Sequence, residues 1–299
     1  EKTPDRYYHP FKGKRFDMPL MITQFKADSG KTRVELYYGI PSSEINLTVW
    51  GDTTRAIVKQ GTFVFDLNWN EVTRYVQKRR YGIGKKILFD DFYLLIDRGT
   101  VILPPGTYNF ALEVMDEATE KVGSERQVVN VRSFKSNRLQ ISDLLLASKI
   151  SAQSSLPVYN FGNLEIIPTL SRNFTPHQPI FVYFEIYNLV PDSTHQTRYR
   201  IETVVRPASD IKKPLLANLL TGMGNLLGLS SKKTEVSTSF DYQGNTTDEF
   251  IYHSVELTNP EPGKYELIIR VTDLNSKASV QNQISFNIIK MPHNEEEEH

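Results

Sequence analysis

The chain has 299 residues, in which 35 Lys and Arg balance 35 Asp and Glu, and it contains no cysteine. That balance leaves no global field to draw it to nucleic acid or an anionic membrane. The missing thiol excludes disulfides, thiol catalysis, thiolate metal sites and lipid attached through Cys.

No apolar run approaches the roughly 20 residues that cross a bilayer. The start at Glu1, with no initiator Met or signal peptide, reads as a processed or truncated product. Residues 1–20 combine Pro4, Pro10, Pro19 and Gly13 with charges and aromatics, which argues for an extended arm. Tyr7, Tyr8, Phe11 and Phe16 give that arm a face that can lie on its own domain or on another molecule.

From residue 21 the apolar pattern turns to period two. MPLMITQFKA, TRVELYYGIP, INLTVWG and GTFVFDLNW read as strands separated by DSG, PSS and GDTT. EVTRYVQKRRYG, KKILFDDFYLLI, PGTYNFALEVMD and RQVVNVRSF continue the series, so residues 21–135 read as one β-sandwich domain. KSNRLQISDLLLASKISAQ opens a second sandwich over 136–290. Its Leu139, Ile141 and Leu144 to Leu146 suit an entering strand better than a helix, because no second turn of apolar periodicity follows.

One segment departs from the β pattern. Around 213–229, Leu215, Leu216, Leu219, Leu220, Met223, Leu226 and Leu227 recur at helical spacing, with Asn218, Thr221 and Asn225 on the other side. The reading is an inserted amphipathic helix, lying on its own sandwich or presenting a docking surface to another subunit or to a membrane. Residues 291–299, MPHNEEEEH, read as a solvated acidic tail.

A long-range repeat ties the halves together. Pro105, Gly106, Tyr108, Val114 and Asp116 return, 157 positions on, as Pro262, Gly263, Tyr265, Val271 and Asp273. Each copy reads as the closing hairpin of a sandwich. Glu35, Tyr37 and Pro41 likewise return as Glu185, Tyr187 and Pro191. The expected fold is all-β: two tandem immunoglobulin-like antiparallel sandwiches with a short helical insertion in the second.

The stretches TRVELYYGIP, LPPGTYNFALEVMD, LQISDLLLASKI, NLEIIPTLSRNF, FVYFEIYNL and PGKYELIIRVTD, in this order, cover most of residues 31–290. In them the chain resembles the bacterial GWxTD-domain proteins, though the Gly-Trp-x-Thr-Asp motif itself is absent. The resemblance implies a bacterial, exported protein with tandem sandwiches and brings no activity or catalytic residue with it.

A search for chemistry finds no constellation. His9, His177, His195, His253, His293 and His299 show no metal spacing, and His253 within a strand reads as a structural, hydrogen-bonded histidine. No GxSxG elbow occurs, Gly82 and Gly84 lack a βαβ context, and Asp90 with Asp91 lacks calcium-loop spacing. The densest charge cluster is QKRRYGIGKK, whose Lys78, Arg79, Arg80, Lys85 and Lys86 are expected to flank a Gly-containing hairpin turn. That tip suits an acidic or phosphorylated partner, or plain solvation.

The sequence therefore points to a non-enzymatic, extracytoplasmic structural or interaction subunit that docks into a larger protein assembly. No cofactor, metal or nucleic acid is expected, and contact with a membrane surface would run through the Leu-rich insertion. The competing reading is a carbohydrate- or polymer-binding module of the cell envelope, with Tyr7, Tyr8, Tyr93, Tyr159 and Tyr183 as stacking residues.

Overall fold

The computed structural model describes residues 14–50, 53–84, 93–152, 160–161, 163–208 and 236–290. The chain divides into two compact units, Glu1–Phe134 and Lys135–His299. Among the described residues both are built of strands, and helical geometry is confined to two short 3₁₀ turns, Asp28–Gly30 and Ser42–Glu44. The expected all-β class is what is observed. The 213–229 insertion lies outside the described residues.

The first unit contains β1 (Arg15–Phe16), β2 (Leu20–Lys26), β3 (Thr32–Pro41), β4 (Thr48–Trp50), β5 (Thr53–Phe65), β6 (Glu71–Gly84), β7 (Leu94–Leu103), β8 (Gly106–Asp116) and β9 (Val122–Val131). One sheet runs β2-β3-β7; the other runs β1-β9-β8-β5-β4, with β6 also on β5. Alternation sends Val34, Leu36, Tyr38 and Ile40 of β3 toward Val58 and Val64 of β5 and Phe110, Leu112 and Val114 of β8. Each such side chain contributes about 1.5–3 kcal/mol by leaving water, so the two sheets are held face to face by these rows.

β5 is longer than the sequence suggests, because GDTT and Gly61 look like breaks. Gly61 sits inside the strand, where a Cβ would stand 2.6 Å from the ring of Phe63. The missing side chain is what lets that ring fold back along the strand.

The second unit contains β10 (Gln140–Ile141), β11 (Leu145–Ala152), β12 (Asn160–Phe161), β13 (Leu164–Pro168), β14 (Asn173–Phe174), β15 (Ile180–Tyr187), β16 (Thr197–Pro207), β17 (Val236–Gly244), β18 (Glu249–Val255), β19 (Gly263–Asp273) and β20 (Ser279–Ile288). The Leu139 to Leu146 region enters as β10 and β11, as strands rather than a helix. One sheet runs β10-β15-β11-β13-β12 with β18 on β15; the other runs β14-β20-β19-β16-β17. Its core gathers Phe174, Phe184, Tyr265, Leu267 and Phe286 from both sheets. Phe286 meets Phe174 edge-on at 5.9 Å and stacks on Tyr265 at 5.6 Å.

The repeat is a shared strand order. β2-β3-β7 corresponds to β11-β15-β18, and β9-β8-β5-β6 to β20-β19-β16-β17. Its recurring residues have mechanical reasons. At the start of β8 the Tyr108 hydroxyl donates to the Pro104 carbonyl at 3.1 Å, and at the start of β19 the Tyr265 hydroxyl donates to Glu261 at 2.9 Å. Each tyrosine thus ties its strand to the loop four residues before it. The intervening glycine leaves room for the tie: a Cβ on Gly106 would stand 3.2 Å from the Tyr108 hydroxyl oxygen and 3.3 Å from its ring, and Gly263 adopts φ 155, which favours glycine.

The aspartates close the far ends. Asp116 Oδ2 accepts the Thr119 amide and hydroxyl, and Asp273 accepts the Asn275 and Ser276 amides and the Ser276 hydroxyl. Next to these anchors Glu120 and Lys277 hold φ 57 and 66, a left-handed turn stabilised without glycine. Glu35 and Glu185 are a looser pair. Glu35 accepts the Thr100 hydroxyl at 2.6 Å and pairs with Arg33, whereas Glu185 accepts the hydroxyls of Tyr183 and Tyr187.

Candidate functional site

The informative surface of the first unit is the side of β5 and β6 turned away from the core. Along β5 burial alternates, Ala56, Val58 and Gln60 buried and Arg55, Ile57 and Lys59 exposed. Register sets Lys59 opposite Lys78, Ile57 opposite Arg80, Gly61 opposite Val76 and Phe63 opposite Arg74. The exposed row is therefore cationic with apolar residues between, Ile57 at 37% and Val76 at 45% exposure.

The expected cationic hairpin tip is corrected here. Lys78, Arg79 and Arg80 lie within the 14-residue strand β6, and Gly82 and Gly84 are strand residues too. The turn joining β5 to β6 is Asp66 to Asn70 instead. Asp66 accepts the amides of Asn68 and Asn70 and the Asn70 side chain, all at 2.8 Å, and these bonds hold its carboxyl below the usual range. The β5–β6 hairpin is thus closed by an Asx-type turn rather than by glycine.

Alternation then sends neighbouring cations to different fates. Arg79 points inward and pairs with the buried Asp97 at 3.2 Å; the Tyr81 hydroxyl donates to the same carboxylate. Burial, then the neighbouring Tyr38 and Asp97, keeps Tyr81 protonated. Lys78 points outward and meets Glu117 at 2.5 Å. Among the described residues no carboxylate stands within ion-pair distance of Lys59 or Arg80. Like charges directly opposite one another are destabilising in an antiparallel pair, so Lys59 and Arg80 stand on this face without support from an ion pair among the described residues.

At the other end of β5 lies an aromatic groove of about 260 Å³, lined by Phe65, Trp69, Asn109, Ala111, Arg126 and Val128, among others. Trp69 occupies the left-handed region at φ 64, and its ring stands 5.9 Å from that of Phe65. Sequence reasoning passed over Trp69; its only signal was the Asp-x-Asn-Trp-Asn turn that holds it.

The second unit finishes the equivalent face differently. Arg200 clasps Asp241 through two bonds of 2.6 and 2.9 Å, Arg206 pairs with Glu266 at 2.8 Å, and Arg270 reaches Glu202 and Gln281 at 3.3 Å. Arg200 holds the Asp241 carboxyl below the usual range. A groove of about 290 Å³ runs between Val204, Ile268, Gln281, Gln283 and these charges. Every arginine on it has an acidic partner across the strands.

The other nominees fall elsewhere. Lys85, Lys86, Tyr7, Tyr8, Phe11, Tyr159, Asp90, Asp91 and the residues from Leu215 to Leu227 lie outside the described residues. Tyr183 is buried with its hydroxyl on Glu185, which removes it as a stacking residue, and Tyr93 is half-buried just before β7. His253 faces inward, its Nε2 3.0 Å from the Thr203 hydroxyl, and burial lowers its pKa to about 4. That is the structural histidine the sequence suggested. Among the described residues no three His, Asp or Glu side chains are grouped to hold a metal.

No protein-family profile matches the chain, and no curated protein matches it. Among solved structures it is similar to Escherichia coli alpha-2-macroglobulin activated by porcine elastase, at 12% identity and TM-score 0.24, covering 93% of this chain and 22% of that one. The trypsin-activated form of the same E. coli protein gives 11% and 0.24, with coverage of 93% and 18%. Bacteroides uniformis beta-glucuronidase gives 8% and 0.25, with 87% and 26%. The chain thus spans at most 26% of the length of these three structures.

Proposed function

We propose that this chain is a non-enzymatic structural and interaction subunit, built of two tandem immunoglobulin-like sandwiches, that docks into a larger extracytoplasmic bacterial assembly through the β5–β6 face of its first unit. The observation that carries the reading is that face: exposed Ile57 and Val76 set among Lys59, Arg80 and Lys78, two of these cations lacking an acidic neighbour among the described residues. Apolar residues ringed by unsatisfied charge suit a protein partner of opposite sign. The immunoglobulin-like assignment is supported by the tyrosine at the start of β8 and β19, whose hydroxyl returns to the backbone upstream as in the tyrosine corner of such domains. The bacterial, exported setting rests on the GWxTD resemblance.

The test is the size of the particle that the protein enters in its native envelope fraction. Ile57→Glu with Val76→Glu should release it from a heavy complex, while Gln283→Glu on the second unit should not. A monomer in every fraction, or equal loss with both variants, would remove the reading.

A second reading, a carbohydrate- or polymer-binding module, is favoured by the groove of Phe65 and Trp69 beside Arg126, since an aromatic floor with polar walls stacks on sugar rings. A glycan array on which the protein and its Trp69→Ala variant are equally silent would dismiss it.

A further inference from the structure

We infer that the free edge of β6 receives an extended partner segment in which acidic and apolar residues alternate, adding it to the sheet as a further strand; this rests on the docking face proposed above and specifies what docks there. Among the described residues β6 pairs with β5 alone, along 14 residues without proline. Every second residue of such a strand turns its N–H and C=O away from its neighbour, so the open side is a row of unpaired donors and acceptors. Pairing of that kind supplies affinity through the main chain, while alternate side chains supply selection.

Selection here is legible from which way the side chains point. Arg74, Lys78 and Arg80 share the outer face with Val76; Arg74 pairs with Glu71 at 3.2 Å and Lys78 with Glu117, both on the exposed surface, while Arg80 has no carboxylate partner among the described residues, and Tyr75 stands on the other face at 51% exposure. The inward Arg79 is already paired with Asp97. An incoming strand therefore meets cations on one face and an exposed aromatic on the other, which asks for carboxylates at alternate positions and apolar side chains between them. A second copy of β6 is the wrong occupant. The strand carries four cations, Arg74, Lys78, Arg79 and Arg80, against one acid, Glu71, so self-pairing sets like charge beside like charge. The charge that blocks self-association admits the acidic strand.

The probe is a capped peptide of about eight alternating glutamates and valines, long enough at about 3.3 Å per residue to cover most of the edge. Binding by calorimetry and hydrogen-exchange protection of β6 amides are the readouts. The peptide should bind and protect β6, weaken about tenfold or more with Lys78→Glu plus Arg80→Glu, and fail when alternate backbone amides are N-methylated, which keeps its charge and removes its donors. A lysine–valine peptide should bind the wild type weakly and the doubly reversed variant better.

Equal binding of the N-methylated peptide overturns strand addition and leaves the docking face standing. Binding of the lysine peptide as tight as the glutamate one, or no binding of either, overturns the selection for acid. The N-methylated comparison uses the unaltered protein, so a misfolded variant cannot decide the outcome.

Discussion

The two units share a strand order, a tyrosine tie and an aspartate-closed turn, and they part company on the outer faces of β5–β6 and β16–β17. In the second unit arginine meets carboxylate across the strands, Arg200 with Asp241 and Arg206 with Glu266. In the first, lysine faces lysine and valine stays wet. Since exposed ion pairs are worth only about 0–1 kcal/mol, the difference is not one of stability. The two frames share their internal ties, and among the described residues they differ in how the cations facing each other across paired strands are matched.

The comparison breaks first in the cores. Leu112→Ala and Leu267→Ala remove fully buried side chains from the two units, and each should cost its own unit about 2–5 kcal/mol, read by denaturant unfolding. Effects of similar size in both would support equivalence of the frames; a tolerated substitution in either would undo it.

Acid should separate the units. The folded pKa of His253, about 4, lies below the ordinary value of 6.5, so between these values the unfolded chain binds the extra proton. The second unit should keep its full stability above pH 6.5 and lose up to about 3 kcal/mol as pH falls toward 4. The described part of the first unit contains no histidine and should lack this slope. His253→Gln should flatten it in thermal melts taken across that range.

Smaller effects sharpen the comparison. Tyr265→Phe deletes a tie from a tyrosine that is 1% exposed and should cost about 1–1.5 kcal/mol; Tyr108→Phe, at a more exposed site, should cost about 0.5 kcal/mol. Smallest of all, Lys59→Glu and Arg270→Ala should each shift stability by about 0.5 kcal/mol or less. On the docking reading proposed above, only Lys59→Glu should alter the size of the particle that the protein enters, as judged by sedimentation.

What was legible in the sequence was local. Pro-Gly-x-Tyr and the aspartate turns work within three or four residues, so their recurrence reported real devices. The cations of β6 were misjudged because Gly82 and Gly84 resemble a turn, while Asp66, which closes the hairpin through its own side chain, was read as part of the strand GTFVFDLNW, although β5 ends at Phe65. Partners distant in sequence were hidden altogether. Nothing near Arg270 announces Glu202, 68 positions away, because strand register decides that meeting. Trp69 was hidden for another reason: its position over Phe65 depends on a left-handed backbone that a lone tryptophan does not advertise.

The tyrosine-tied hairpins also bear on the order in which the molecule assembles. Residues 104–131 and 261–288 each close their loop, two strands and turn with partners close in sequence, which makes them the entropically cheapest blocks to form. Folding is expected to begin at two places, each with high φ-values at its own hairpin. A ribosome releasing the first block would already hold one nucleus while the second was still being made.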